Sequence, residues 1–205
     1  MMQPNEIIEK AFPIINEQDC SKLQLEALLE KAEISLEEFY QSFADLDDFF
    51  VKAFLQLCEH ANALTEEIDK PSFTLEKLFT TIVHIFKLQM KYRYLMLNLS
   101  ALIQSNETIK DKYLELTALR KAQLIHLFST LEKEGYFYKE KFPGNFENLS
   151  VQILMLSDYW LSHNSAVFGP NDIQFSYYSK LIFSAVLPYL TDKGLKAFKG
   201  TLGYG

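Results

Sequence analysis

The first 134 residues of this 205-residue chain contain no glycine. All seven glycines come later, at positions 135, 144, 169, 194, 200, 203 and 205. Sheets and phosphate-binding loops need glycine at their tight turns, whereas helices joined by polar caps do not. Apolar residues also recur at helical spacing, as in Leu124, Leu127 and Leu131. The sequence therefore predicts an all-α fold.

Helix start and stop signals divide the chain into about nine helices. Asn106 is the expected cap of the seventh helix and Gly135 its end, and Gly169-Pro170-Asn171 separates the last two. Pro13 falls inside the first helix and should kink or shorten it. The tail after Thr191 is rich in Lys and Gly and is expected to fray. The predicted helices span residues 4–18, 22–31, 35–43, 46–68, 73–90, 92–104, 107–134, 147–163 and 171–190.

Composition excludes several classes of protein. Hydrophobic residues make up 48% of the chain and charged residues 23%, which is typical of a globular protein and not of a disordered or collagen-like one. The two cysteines, Cys20 and Cys58, are too few for a disulfide framework and suit a reducing cytoplasm. The sequence shows neither an apolar leader nor a run of about 18 apolar residues. We therefore expect a cytoplasmic protein without a membrane partner.

The sequence signatures of enzymes are missing. The chain has no Gly-rich phosphate loop, no Gly-x-Ser-x-Gly nucleophile elbow and no His-Glu-x-x-His zinc motif. No histidine follows a Glu by three residues, as the di-iron helical bundles require. We expect no catalytic residue, no metal and no cofactor.

The segments 22–31 and 35–43 have the length and the apolar spacing of a helix-turn-helix. This N-terminal region resembles the head of the tetracycline-repressor (TetR) family of transcriptional regulators, and the Tyr-x-x-Phe ending of the second segment is the most specific feature. The resemblance implies a DNA-binding head over residues 1–45 and an effector-binding and dimerisation body over residues 46–205. The matching positions are Ile8, Ala11, Ile14, Ile15, Ala32, Ile34, Ser35, Phe39, Tyr40, Phe43, Asp48 and Phe49.

The resemblance also implies which residues would meet operator DNA. In the family, phosphates are held by hydroxyls that open the second helix, by a small residue or Thr at the start of the recognition helix, by the tyrosine, and by a Lys that opens the fourth helix. The matching positions here are Leu23 and Gln24, Glu37 and Glu38, Tyr40, and Leu46. Only the tyrosine is kept. The candidate DNA-binding residues are Gln24, Ser35, Leu36, Glu37, Glu38, Tyr40 and Gln41.

The charge distribution predicts weak DNA binding. The whole chain has a net charge of -7. Residues 1–58 contain four lysines and twelve acids, so their own charge balance is -8. Affinity for DNA normally comes from basic residues that displace counterions. Some of these acids have a local structural role, because Ser35 and Glu38 have the spacing of a capping box.

Two hypotheses follow for the function. The first is a TetR-like homodimeric repressor controlled by a small ligand. The second is a binding protein of the same fold that has lost operator recognition and acts through its ligand or through a basic protein partner.

The segment 72–134 is the expected effector chamber. Its apolar residues occupy all sides of their helices, which implies burial among several neighbours. Aromatic and Met side chains with a few polar anchors suit a small apolar or aromatic ligand, although the same residues could simply form the core. The candidate ligand-binding residues are Phe86, Met90, Tyr94, Tyr113, His126 and Tyr159.

Two apolar stripes near the end of the chain predict a dimer interface. Their members are spaced three and four residues apart, so two copies of each stripe would form a four-helix bundle across a two-fold axis. The alternative is that both stripes pack only within one chain. The candidate interface residues are Leu149, Ile153, Leu156, Trp160, Phe175, Tyr178, Ile182 and Tyr189.

Overall fold

A computed structural model describes residues 2–17, 24–68, 70 and 74–202. In this part of the chain the all-α prediction is confirmed: there are eleven α-helices and no strand, and one isolated antiparallel bridge joins Phe137 and Leu190. None of these helices has the length and apolarity needed to cross a membrane. The helices are α1 (Pro4–Glu17), α2 (Leu25–Ala32), α3 (Leu36–Ser42), α4 (Leu46–Thr65), α5 (Leu75–Lys91), α6 (Arg93–Leu97), α7 (Leu99–Ser105), α8 (Glu107–Lys133), α9 (Asn145–Val167), α10 (Phe175–Val186) and α11 (Asp192–Leu202), with a 3-10 turn at Leu187–Tyr189.

The chain divides into two compact units. The first unit combines Met1–Ala61 with Lys87–Tyr113, and the second combines Asn62–Phe86 with Leu114–Gly205. The first unit combines the helices of the expected head with the α5–α6 junction, and the two share a core.

Aromatic rings build the core of the first unit. Phe12 of α1 packs on Tyr92 at the α5–α6 junction, with ring centroids 4.9 Å apart. Phe43 lies 5.1 Å from both Phe39 and Phe49. All five side chains are at most 2% exposed, so a single apolar cluster fixes α1, α3, α4 and the junction against one another.

A second aromatic cluster forms the core of the other unit. Phe86 of α5 stacks on Trp160 of α9 at 4.5 Å and meets the edge of Phe175 at 5.7 Å. Phe79 packs on Phe183 at 4.8 Å. These contacts join α5, α9 and α10 through rings that approach by their faces and edges.

Of the two effects expected of Pro13, shortening is not seen, because α1 continues to Glu17. Glu9 and Pro13 are both exposed, at the place where proline leaves a carbonyl without a helical donor. Two further helix predictions need correction. The predicted helix 92–104 is divided into α6 and α7 at Asn98, whose amide donates to the Tyr94 carbonyl. The helix expected over residues 171–190 forms only from Phe175 to Val186.

The C-terminal tail is helical where fraying was expected. Thr191 donates through its hydroxyl to the carbonyls of Gly135 and Tyr136, at 2.7 and 3.2 Å. Lys193 lies over the Tyr136 ring at 4.1 Å. A Cβ built on Gly194 would lie 2.2 Å from the Tyr136 carbonyl oxygen. The glycine thus permits a close backbone contact that fastens α11 to the segment after α8.

Candidate functional site

The predicted recognition helix is α3, and its start has the expected capping box. The Ser35 hydroxyl accepts from the Glu38 N–H at 3.2 Å, and the Glu38 carboxylate accepts from the Ser35 N–H at 3.0 Å. The bond from the Ser35 N–H lowers the pKa of Glu38 below its ordinary value. The capping role proposed for this pair is confirmed.

One side of α3 faces outward. Leu36 is 47% exposed and Tyr40 is 56% exposed, while Phe39 between them is buried in the core. Glu37 and Gln41 are also exposed, and the Gln41 amide donates to the Glu37 carboxylate at 3.2 Å. Residues 36, 37, 40 and 41 share this side of the helix because they follow the three- and four-residue spacing of a helical turn.

The other predicted DNA-contact residues have different surroundings. Gln24 is exposed at the start of α2, Ser35 is exposed at the start of α3, and Glu38 is half-buried. Leu46 opens α4 and is half-buried. Leu23 lies outside the described residues.

The outer surface of the head is acidic. Residues 24–48 contain eight acids and one lysine. The nearby Lys52 is already paired, because its ammonium group lies 2.9 Å from the Asp48 carboxylate and donates to the Ser42 carbonyl at 2.8 Å. Lys52 lowers the pKa of Asp48. The charge near α3 therefore repels phosphate at ordinary pH.

The head is tied to the α5–α6 junction by a set of contacts that the sequence did not reveal. The Asn16 side chain donates to the Lys91 carbonyl at 2.8 Å and accepts from the Tyr94 N–H at 3.0 Å. The Lys91 ammonium group pairs with the Glu9 carboxylate at 2.7 Å and lowers its pKa. Since one amide side chain bonds to both sides of the junction, a shift of the junction would disturb α1 directly.

Among the described residues of the first unit, two buried polar atoms have no hydrogen-bond partner: the Gln56 side-chain oxygen and the Tyr92 hydroxyl. Gln56 is 4% exposed and Tyr92 is fully buried, and burial raises the pKa of Tyr92 to about 12. Such atoms are rare in native proteins, because each costs about 1–3 kcal/mol. The sequence could have predicted that Gln56 is buried, because helical spacing places it on the same side of α4 as Phe49 and Ala53.

The six predicted ligand residues are divided between the two units. Met90, Tyr94 and Tyr113 belong to the first unit, while Phe86, His126 and Tyr159 belong to the second. Tyr94 stacks on Phe50 with centroids 5.0 Å apart. Phe86 is fully buried, whereas His126 and Tyr159 are exposed. The effector role of this set stays a prediction.

The predicted interface stripes lie largely inside one chain. Trp160 packs on Tyr178 at 5.5 Å, and the Tyr178 hydroxyl bonds to His163 at 2.6 Å. These side chains are buried within one chain, and their role in joining two copies stays a prediction. Leu149, Ile153, Trp160, Tyr178 and Ile182 are at most 5% exposed, and Leu156, Phe175 and Tyr189 are half-buried.

The opposite side of α9 exposes apolar residues. Val151, Met155 and Tyr159 repeat every four residues and are 39%, 61% and 40% exposed. Tyr177 on α10 and Leu187 after it are 49% and 40% exposed. An apolar row of this kind is typical of a surface that a partner covers.

Among the described residues, no group of three or more His, Cys, Asp or Glu side chains is placed to hold a metal ion.

Comparisons with known proteins agree on a family. Residues 56–198 match the family model TetR, described as a bacterial transcriptional repressor. No curated protein matches.

Solved structures show the same fold. A TetR-family transcriptional regulator from Marinobacter aquaeolei VT8 is similar with a TM-score of 0.82 at 16% identity, covering 100% of this chain and 99% of that one. The regulatory protein TetR from Rhodobacter sphaeroides is similar with a TM-score of 0.65 at 12% identity, covering 87% and 96%. A putative transcriptional regulator from Pseudomonas aeruginosa PAO1 is similar with a TM-score of 0.61 at 14% identity, covering 91% of each chain.

Proposed function

The chain belongs to the TetR family of transcriptional regulators, and from this membership we propose a cytoplasmic homodimer that responds to a small apolar or aromatic effector and contacts DNA weakly. The observation that carries the proposal is the outward side of α3, which keeps the exposed Tyr40 but surrounds it with acids. Residues 1–45 act as the head and residues 46–205 as the body in this proposal.

Effector control is supported by the first unit. The hydrogen bonds of Asn16 connect the α5–α6 junction directly to α1 of the head. Gln56 and Tyr92 offer buried polar atoms that a ligand with few hydrogen-bonding groups could satisfy. An effector that binds one arrangement of the junction better than another would shift the population of head positions.

Measurements of DNA binding at a series of salt concentrations test the proposal that the head binds DNA weakly. We compare the wild type, Glu37→Lys and Asp111→Lys for binding to duplex DNA fragments by filter retention. Glu37 is exposed on α3 and Asp111 is exposed on α8, so both variants add the same charge at different places. Glu38 is left intact because it caps α3.

Glu37→Lys should raise non-specific affinity and steepen the salt dependence by about 0.9 per new phosphate contact, while Asp111→Lys should not. Tight, sequence-selective binding by the wild type would contradict the proposal of a weak head. Negligible binding by all three proteins would favour the second function, a TetR-fold ligand- or protein-binding protein that has lost operator binding; the observation that favours it is the excess of acids over residues 24–48.

A further inference from the structure

The loop between α8 and α9 presents aromatic and basic side chains together. Tyr138 is 53% exposed and Phe142 is 52% exposed, and between them lie Lys139 and Lys141, both exposed. Within the described residues neither lysine has an ion pair. We call these four residues the basic loop.

The framework of the basic loop is held at both ends. The Tyr138 N–H donates to the Tyr189 carbonyl at 2.8 Å. Glu140 lies between the two lysines in the sequence, and its carboxylate accepts from the Phe146 N–H at 2.6 Å, at the start of α9. The carboxylate is thereby engaged with α9, and the loop offers two cations flanked by two rings.

The head offers the complementary pattern. Leu36 and Tyr40 are exposed apolar groups on the outward side of α3, and Glu33 and Glu37 are exposed beside them in the sequence. We call these four residues the head face. It pairs an apolar centre with negative charge, just as the basic loop pairs an apolar centre with positive charge.

We propose that the basic loop of one copy docks on the head face of another copy. The basic loop complements the head face in both charge and apolar character, because its two lysines would lie beside Glu33 and Glu37 of the other copy. The contact joins two different surfaces, so it is heterologous and extends beyond a two-fold dimer. It covers the helix that would otherwise face DNA, which makes occlusion of the head depend on protein concentration.

The contact is weak and sensitive to salt. Exposed Lys–carboxylate pairs contribute little each, because both groups remain in water. Their attraction is screened over about 10 Å at 0.1 M salt and over about 30 Å at 0.01 M. Self-association is therefore expected at low ionic strength and should fade as salt is added.

Sedimentation velocity with charge-reversal variants tests the proposal. The wild type is measured over about 10–500 mM NaCl, beside Lys139→Glu/Lys141→Glu and Glu33→Lys/Glu37→Lys. The wild type should form species larger than its high-salt form at low salt, and each double variant should weaken this association by about tenfold or more. An equal mixture of the two double variants should restore it, because each supplies the surface that the other lacks.

Lys77→Glu/Lys87→Glu is the matched control, since both lysines are exposed on α5 and the charge change is the same. This variant should associate like the wild type, and circular dichroism checks that every variant is folded. The proposal would be overturned if the wild type did not associate at low salt. It would also be overturned if the α5 control lost this association, or if the mixture of the two double variants did not restore it. Loop-dependent binding to anionic lipid vesicles or to DNA by a protein that does not self-associate would overturn it as well.

Discussion

Among the described residues, Glu33 alone combines a side chain with a positive φ, 54°. It follows α2, where its N–H donates to the Glu30 carbonyl and the next N–H, of Ile34, donates to the Leu29 carbonyl at 2.9 Å. Glycine usually occupies such a position, because a side chain there costs about 1 kcal/mol. Charge and apolar spacing do not reveal the left-handed backbone at Glu33, but the resemblance to the TetR family does give a signal, because a glycine is expected near this position.

Glu33→Gly should therefore stabilise the protein. Relief of the left-handed strain outweighs the extra freedom of glycine in the unfolded chain, and we expect a net gain of about 0.5 kcal/mol. For a chain of this size the gain corresponds to about 1–2 °C in Tm, measured by thermal denaturation. Glu30→Gly, at an exposed position inside α2, is the control and should lower Tm. A fall in Tm for Glu33→Gly would mean that the side chain makes contacts worth more than the strain.

At the scale of elements, α11 depends on the absence of a side chain at one position. Gly194→Ala places a Cβ 2.2 Å from the Tyr136 carbonyl oxygen, so the helix or the segment beneath it must move. We expect a loss of about 2 kcal/mol or more in the free energy of unfolding, measured with urea. Lys196→Ala, at an exposed position of the same helix, should change it by less than about 0.5 kcal/mol. Equal effects of the two variants would show that α11 does not rely on the close contact.

The same glycine explains why sequence reasoning failed at the tail. In a sequence, Gly beside Lys indicates a weak helix, and only the neighbouring Tyr136 backbone shows why a small residue is required. Local signals were better guides where the partner lies a few residues away. Asn106 accepts from the Ile109 N–H at 3.1 Å as the predicted cap, and Gly135 ends α8 with a φ of 77°.

The stripes on α9 and α10 show a second limit of prediction. Helical spacing identifies the apolar side of a helix but not the surface that covers it, so Trp160 fits an interface between chains and an interior equally well. Within one chain Trp160 packs against Phe86, on a helix distant in the sequence, and helical spacing alone does not reveal this contact. The outward side of α3 was easier to predict, because Phe39 and Phe43 mark its buried side and leave Leu36 and Tyr40 outside.

For the whole molecule, dimerisation through the exposed row of α9 is the main expectation. Met155→Glu places a charge in the centre of that row and should convert a dimer into a folded monomer, seen by sedimentation equilibrium. Trp160→Glu should instead unfold the protein, because Trp160 is 2% exposed inside one chain. If the Met155→Glu variant remained dimeric, a different surface would have to join the two copies.

The contact between α11 and the segment after α8 can form only late during synthesis on the ribosome. Residues 135 and 136 follow α8, but their partners Thr191 and Lys193 leave the ribosome much later. The segments of the first unit end at residue 113 and emerge well before that. All residues of the first unit are therefore available to fold while Phe137 still lacks Leu190, and for that interval the apolar surface of the second unit is the part that a chaperone would have to shield.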